Sequence, residues 1–325
     1  MIGTALAAGL TFGYCAQRGG FCLTRALSNW TLMGDAGLLR AYALALLVAV
    51  IGVHLLQLGV AEEIPVRSFR WLANVLGGLI FGVGMILGGG CAGSSWYRLG
   101  EGALGAWVVL LGFAMGATAT SVGLLAPLRQ RLGAWELTIG ERAPTLTSAL
   151  GLNPWLVIAG LAVPVGIWLW RGEVEPEHGK WRWPVTGLAV GAVVTAGWFL
   201  SLLGGSPTGI TFAGNTGHLL TYPLVRYPGR ITWSMVLLAG VVAGAALAAR
   251  RSGQFGWKPV PGFTGVKLFT GGLTMGVGAL LADGCNITQG LTNSATLALG
   301  SLTAFAAMLA GGWLTIRLLY GRRLE

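Results

Sequence analysis

Charge is what this chain has least of. Lysine, arginine, aspartate and glutamate make up 10% of its 325 residues, where a soluble domain carries about 25%. So few charges cannot solvate an ordinary surface. Together with 54% hydrophobic residues and a mean hydropathy of +0.71, this excludes a soluble fold and predicts an all-α polytopic membrane protein. Cysteine is scarce too. Cys15, Cys22, Cys91 and Cys285 are too few and too scattered for a disulfide framework. Cys15 and Cys22 stand seven apart, so there is no C-x-x-C, and three histidines leave no metal-ligand spacing. No cofactor is therefore expected. An ATP-binding motif is missing as well, which leaves a gradient or downstream consumption as the driving force. Residues 1–14 are apolar but lack a basic start and a small-residue cleavage site, so no cleavable leader is expected.

The formal charge is +10, from 21 basic and 11 acidic residues set mostly between apolar runs. With no soluble basic domain to carry them, nucleic acid is not the partner; the charges suit an anionic leaflet and draw anions toward a pore. Glycine is abundant, 55 of 325 residues, against roughly 7% on average, and follows no Gly-X-Y period. That predicts close helix packing and backbone breaks within the membrane.

One stretch occurs twice. Gly77-Gly-Leu-Ile-Phe-Gly-Val-Gly-Met-Ile-Leu-Gly-Gly-Gly-Cys91 matches Gly271-Gly-Leu-Thr-Met-Gly-Val-Gly-Ala-Leu-Leu-Ala-Asp-Gly-Cys285 at nine of fifteen positions. A long repeat outranks any single motif as a guide to architecture. It divides the chain into two pseudo-symmetric halves, about 1–172 and 183–325, joined by the polar connection 171–182 with Glu173, Glu175, Glu177 and Lys180.

Apolar runs of the length a spanning helix needs cover Ala41–Val60, the two repeat segments, Gly102–Val122, Pro184–Leu203, Ile231–Ala249 and Ala295–Leu319. Trp155–Trp170 is shorter. Glu62, Glu63, Arg67 and Arg70 make an exposed connection, and Pro127–Pro154, with Arg129, Arg131, Glu136, Glu141 and Arg142, reads as interfacial. The expected total is about nine transmembrane helices plus short re-entrant or interfacial ones. His54, inside a span, reads as a packing residue. Basic residues Arg250, Arg251, Lys258, Arg322 and Arg323 favour a cytoplasmic C-terminus. The polar breaks Arg18–Arg25 and Ser206–His218 interrupt apolar runs in corresponding places, and aligning Gly20 with Gly209 sets Cys22 near Thr211. Paired broken segments are the best sequence pointer to a central transport site.

Cys91 and Cys285 each follow a glycine where an apolar helix gives way to polar residues. A short helix starting just beyond would aim its free amides and dipole end at the thiol and seat an anion. Arginine or backbone amides bind a hard oxyanion more firmly. A weak S–H donor suits a soft, sulfur-bearing anion, and passage requires contacts weak enough to release. Asn215, His218 and Asn293 are candidate path-lining residues or backbone satisfiers. Arg18 is either a charge for the anion or a loop marker, and Asp283 is expected to face away or pair with a base. Cys15 reads as packing.

Arg18-Gly-Gly-Phe-Cys22, Gly88-Gly-Gly-Cys91-Ala-Gly93, Pro207-Thr-Gly-Ile-Thr211 and Asp283-Gly-Cys285-Asn-Ile-Thr-Gln-Gly290 resemble motifs of the YeeE/YedE family of bacterial inner-membrane proteins, a sulfur-transport family. The resemblance covers essentially the whole chain. It implies loops dipping from both faces toward a narrow waist. It also implies a non-enzymatic role, with thiosulfate handed along Cys22, Cys91 and Cys285 by transient S–H···S contacts, and a small cytoplasmic sulfur-carrier-like partner. Other sulfur or selenium anions, and a membrane-embedded thiol enzyme transferring sulfur, are the alternatives.

Overall fold

The structure is a computed structural model that describes residues 1–59, 64–139, 143–172, 179–225, 231–260 and 262–321. Glu62, Glu63, Glu141, Arg142, Glu173, Glu175, Glu177, Arg322 and Arg323 lie outside the described residues.

The protein has an all-α polytopic membrane fold. Helix α1 (Ile2–Gly19) stops at Gly20, whose φ of 57° lets its amide turn back onto the carbonyls of Ala16 and Gln17. α2 (Leu23–Met33) and the long α3 (Gly37–Gly59) follow. After the two-residue strand β1 (Phe69–Arg70) come α4 (Trp71–Leu87), α5 (Ala92–Gly100), α6 (Leu104–Ser121) and α7 (Ala126–Gly133). Strand β2 (Glu136–Leu137) pairs antiparallel with β1. The short α8 (Leu146–Leu150) and α9 (Pro154–Trp170) complete the first part of the chain. Next are α10 (Trp183–Leu203), α11 (Ala213–Val225), α12 (Trp233–Arg251) and α13 (Gly262–Leu281). A π-helical turn (Thr288–Asn293), a 3-10 turn (Ser294–Thr296) and α14 (Leu299–Tyr320) end it.

Seven stretches among the described residues are long and apolar enough to span a membrane: Gly37–Gly59, Trp71–Gly100, Leu104–Ser121, Trp183–Leu203, Trp233–Arg251, Thr264–Leu281 and Leu299–Tyr320. α9 is apolar but has 17 residues. The last span begins four residues later than its apolar run suggests. Residues 288–296 wind as π and 3-10 turns, and Leu297, with φ 56°, breaks the chain before α14.

Lipid gives apolar helices no hydrophobic reason to associate, so small residues and close backbone approach hold the bundle. α1 lies on α12, and α10 on α3. α4 and α13 cross at the centre, flanked by α14 and α6 respectively. The α1–α12 seam places Gly9 and Gly13 against Leu237 and Val241, with Gly240 and Gly244 against Leu6 and Leu10. At the central crossing Gly77 and Gly84 meet Gly278 and Met275. A Cβ on Gly82 would fall 2.5 Å from the Gly312 amide. His54 is buried, with Nδ1 2.8 Å from the Val50 carbonyl and its ring edge-on to Trp155, a packing role.

Candidate functional site

Each of the three cysteines stands at the start of a helix. Cys22 is the N-cap of α2, in extended conformation after the Gly20 break. Cys91 is the N-cap of α5, and its sulfur accepts from the Ser94 amide at 3.4 Å. Cys285 immediately precedes the helical run from Asn286, with its sulfur 3.4 Å from the Thr288 hydroxyl and beside the Thr288 amide. The Cys22 sulfur faces the Arg25 amide, three residues on, without closing a capping bond. Glycine breaks expose the first amides of each helix, and the thiol takes the position where serine or threonine usually satisfies them.

Two of these thiols are brought together, and the third starts a neighbouring helix. Cys22 and Cys91 face one another within hydrogen-bonding reach, with the Ser94 side chain beside Cys22. The helices that begin after Cys91 and Cys285 meet by their first turns, since a Cβ on Gly93 would fall 2.8 Å from Ile287 Cγ1. Tyr42 of α3 lies within electrostatic reach of all three thiols. Its ring stacks on Phe21 at 4.1 Å between centroids and on Phe305 at 6.2 Å. Its hydroxyl accepts a 2.6 Å hydrogen bond from Asn286 Nδ2. Cys91 and Cys285 are fully buried and Cys22 is 6% exposed.

Above Cys22 a vestibule of about 670 Å³ opens at the end of the molecule that holds the α14 terminus. Gly20, Cys22 and Tyr97 line it together with Arg25, Arg98, Lys180 and Lys258, and Glu101 is the single acidic residue among the described lining residues. Lys180 Nζ donates to the Gln17 carbonyl at 2.8 Å and to Gln254 Oε1 at 2.9 Å, and sits 3.6 Å from Glu101. Burial pulls its pKa below the ordinary lysine value, Arg25 and Arg18 add to this, and Glu101 opposes it. Among the described lining residues basic side chains outnumber acidic ones, and a positive field concentrates anions.

The other residues read from the sequence divide. Asp283 pairs with Arg67 at 3.6 Å and Arg129 at 4.0 Å. Asn215 donates to Thr211, which donates to Ser234, and Asn293 donates to Gln289, so each satisfies a local partner. His218 lies in α11. Arg18 ends α1 and Cys15 packs half-buried on the core, both outside the vestibule lining. Sequence reasoning missed Tyr42, Tyr97 and the basic lining set. Tyr42 carried a signal, being a polar group inside an apolar span, where polar side chains face the bundle interior or a cavity. The convergence of Arg25, Arg98, Lys180 and Lys258 had none, because they come from four separate segments.

Comparison with known proteins covers nearly the whole chain. The sequence pattern of the Sulphur transport family matches residues 18–314. The thiosulfate transporter TsuA of Spirochaeta thermophila is 33% identical across 99% of this chain and 100% of its own. The protein of the same name from Escherichia coli is 28% identical across 99% and 96%. The probable transporter YedE of Salmonella typhimurium is 36% identical over 120 residues, 36% of this chain and 29% of its own. With its match running from the first helix break to the last span, the chain belongs to the Sulphur transport family, and it is a multi-pass membrane protein.

Proposed function

We propose that this protein is a bacterial inner-membrane importer of thiosulfate, and that the ion is handed along Cys22, Cys91 and Cys285 by transient S–H···S hydrogen bonds without covalent transfer. The observation that carries the reading is the placing of three thiols at helix starts around one tyrosine, beneath a basic vestibule. Two relatives named thiosulfate transporters match it end to end. Helix-start amides offset the anion's charge, while the thiols contact its polarizable sulfur weakly enough to release it. Passage requires the side chains that bury Cys91 and Cys285 to move aside.

The repeat reading supplies the layout. The two halves interlock: α1 of the first rests on α12 of the second as α10 rests on α3, and α4–α6 is echoed by α13–α14. Cys91 and Cys285 then sit across the axis between the halves. Import also sets the sidedness. Arg25, Arg98, Lys180 and Lys258 line the mouth of a path, and for import that mouth faces outside, against the cytoplasmic C-terminus that Arg250, Arg251 and Lys258 favour. A small sulfur-carrier-like protein would receive the ion at the opposite end.

Uptake of labelled thiosulfate into vesicles holding the purified protein tests the reading. Alanine at residue 22, 91 or 285 is expected to abolish uptake and Cys15→Ala to leave it intact. Intact-mass measurement after turnover is expected to show unmodified cysteines, whereas a persulfide would establish a sulfur-transfer enzyme instead.

A further inference from the structure

The centre of the bundle holds polar capacity that the thiol path does not use. Tyr42 is 4% exposed, and its hydroxyl oxygen accepts from Asn286 Nδ2. Its own hydrogen has no acceptor among the described residues, and Asn286 Oδ1 is buried without a partner. As the pair stands, the phenol hydrogen is the spare donor; turning the Asn286 amide would commit it to Oδ1 and pass the spare donor to the Asn286 N–H, so the Tyr42–Asn286 pair holds an uncommitted donor in either arrangement. Buried polar groups are almost always paired. An uncommitted donor between aromatic rings, bonded to the residue that follows Cys285, fits a group whose partner arrives only in passing.

We infer that Tyr42 is a specificity-determining residue: its hydroxyl hydrogen takes an oxygen of the transported anion while Cys91 and Cys285 take the sulfur end. Asn286 is the positioning residue that aims it. The inference rests on the thiol path and adds a hard contact to a soft one. An O–H donor makes short, charge-assisted bonds to anionic oxygen, which a thiol does not. A site with both selects an anion with a terminal sulfur at one end and oxygens at the other. Sulfate offers the phenol an oxygen but the thiols nothing soft. The stacking on Phe21 and Phe305 fixes the ring, so the hydroxyl is presented without a further ordering cost.

The test compares Tyr42→Phe, Asn286→Ala and Cys91→Ala in vesicles by initial rates of labelled thiosulfate uptake. Tyr42→Phe keeps both ring stacks and removes one oxygen. Its kcat/KM is expected to fall about 10- to 150-fold, the range set by a hydrogen bond to a charged group. Asn286→Ala is expected to lose less, because the hydroxyl remains but is no longer aimed. Wild-type uptake by Tyr42→Phe overturns the inference. So does an Asn286→Ala defect as large as or larger than that of Tyr42→Phe, since the hydroxyl would then serve only to hold Asn286. In either case an inactive Cys91→Ala leaves the thiol path standing, whereas an active one removes it. If Tyr42→Phe is not recovered folded, 3-fluorotyrosine at position 42 replaces it. The stronger donor is expected to lower KM, and an unchanged KM overturns the proposal.

Discussion

Cys91→Ser separates what the thiol does for the fold from what it does for transport, because the two effects have opposite signs. Cys91 is an N-cap whose sulfur sits 3.4 Å from the Ser94 amide, a long, weak capping contact. Serine is among the preferred N-caps, and a preferred cap is worth about 0.5–2 kcal/mol over alanine. The Cys91 backbone is already extended, with φ −80° and ψ 167°, so serine enters without strain. The hydroxyl is smaller than the thiol and leaves no overpacking against Cys22. The variant is therefore expected to be as stable as wild type or up to about 1 kcal/mol more stable. Transport moves the other way. The hydroxyl is a hard donor held by the helix start, and the ion loses one of three soft contacts. Losing a hydrogen bond to a charged group costs about 1.5–3 kcal/mol, so the uptake rate is expected to fall roughly 10- to 150-fold. Thermal unfolding in detergent and uptake on the same preparation read both quantities. Uptake within about twofold of wild type, alongside unchanged stability, refutes the soft-contact reasoning. A covalent exchange mechanism predicts no residual uptake whatever the stability.

Four further outcomes follow from the same geometry. Charge reversal at Arg25 or Lys258 is expected to raise KM with little change in kcat, and the defect is expected to shrink at high salt, since the vestibule field is screened. The lowered pKa of Lys180 means its positive charge is lost at a lower pH than an ordinary lysine's. KM is therefore expected to rise on the alkaline side, and Lys180→Arg, which stays protonated, is expected to remove that rise. Gly84→Val puts a branched side chain against the Met275 backbone; a drop of about 1–3 kcal/mol or more in stability is expected from overpacking, read by thermal unfolding. A membrane-impermeant maleimide added outside intact cells is expected to label Cys22, through the vestibule, far faster than Cys285.

The fold was legible where physics acts along the chain. Apolar run length marks spans such as Trp183–Leu203 within a residue or two, and the doubled Gly-Cys ending marks Cys91 and Cys285 as helix starts. At Cys22 the signal was the Gly19-Gly20 break, and the left-handed Gly20 bears it out. What stayed hidden depends on contacts between distant residues. Lys180 read as part of a polar linker, yet it reaches Gln17, 163 positions away, and Gln254. Tyr42 sits at the second position of an apolar run, and its value comes from Asn286, 244 positions away. The π turn at 288–293 had no signal in the sequence, and its contacts are tertiary. Trp198 donates to the Thr292 carbonyl, and the Thr292 hydroxyl donates to the Ile210 carbonyl, so both α10 and the Gly209 break bind that turn. Asp283 was readable as a paired acid, but its left-handed φ of 58° was not.

The most direct test of the thiol path is the initial rate of labelled thiosulfate uptake into vesicles, measured for alanine at residues 22, 91 and 285 singly, with Cys15→Ala as the control. The account predicts background uptake for each of the three and a wild-type rate for the control. A folded single variant among the three that still carries thiosulfate near the wild-type rate contradicts it.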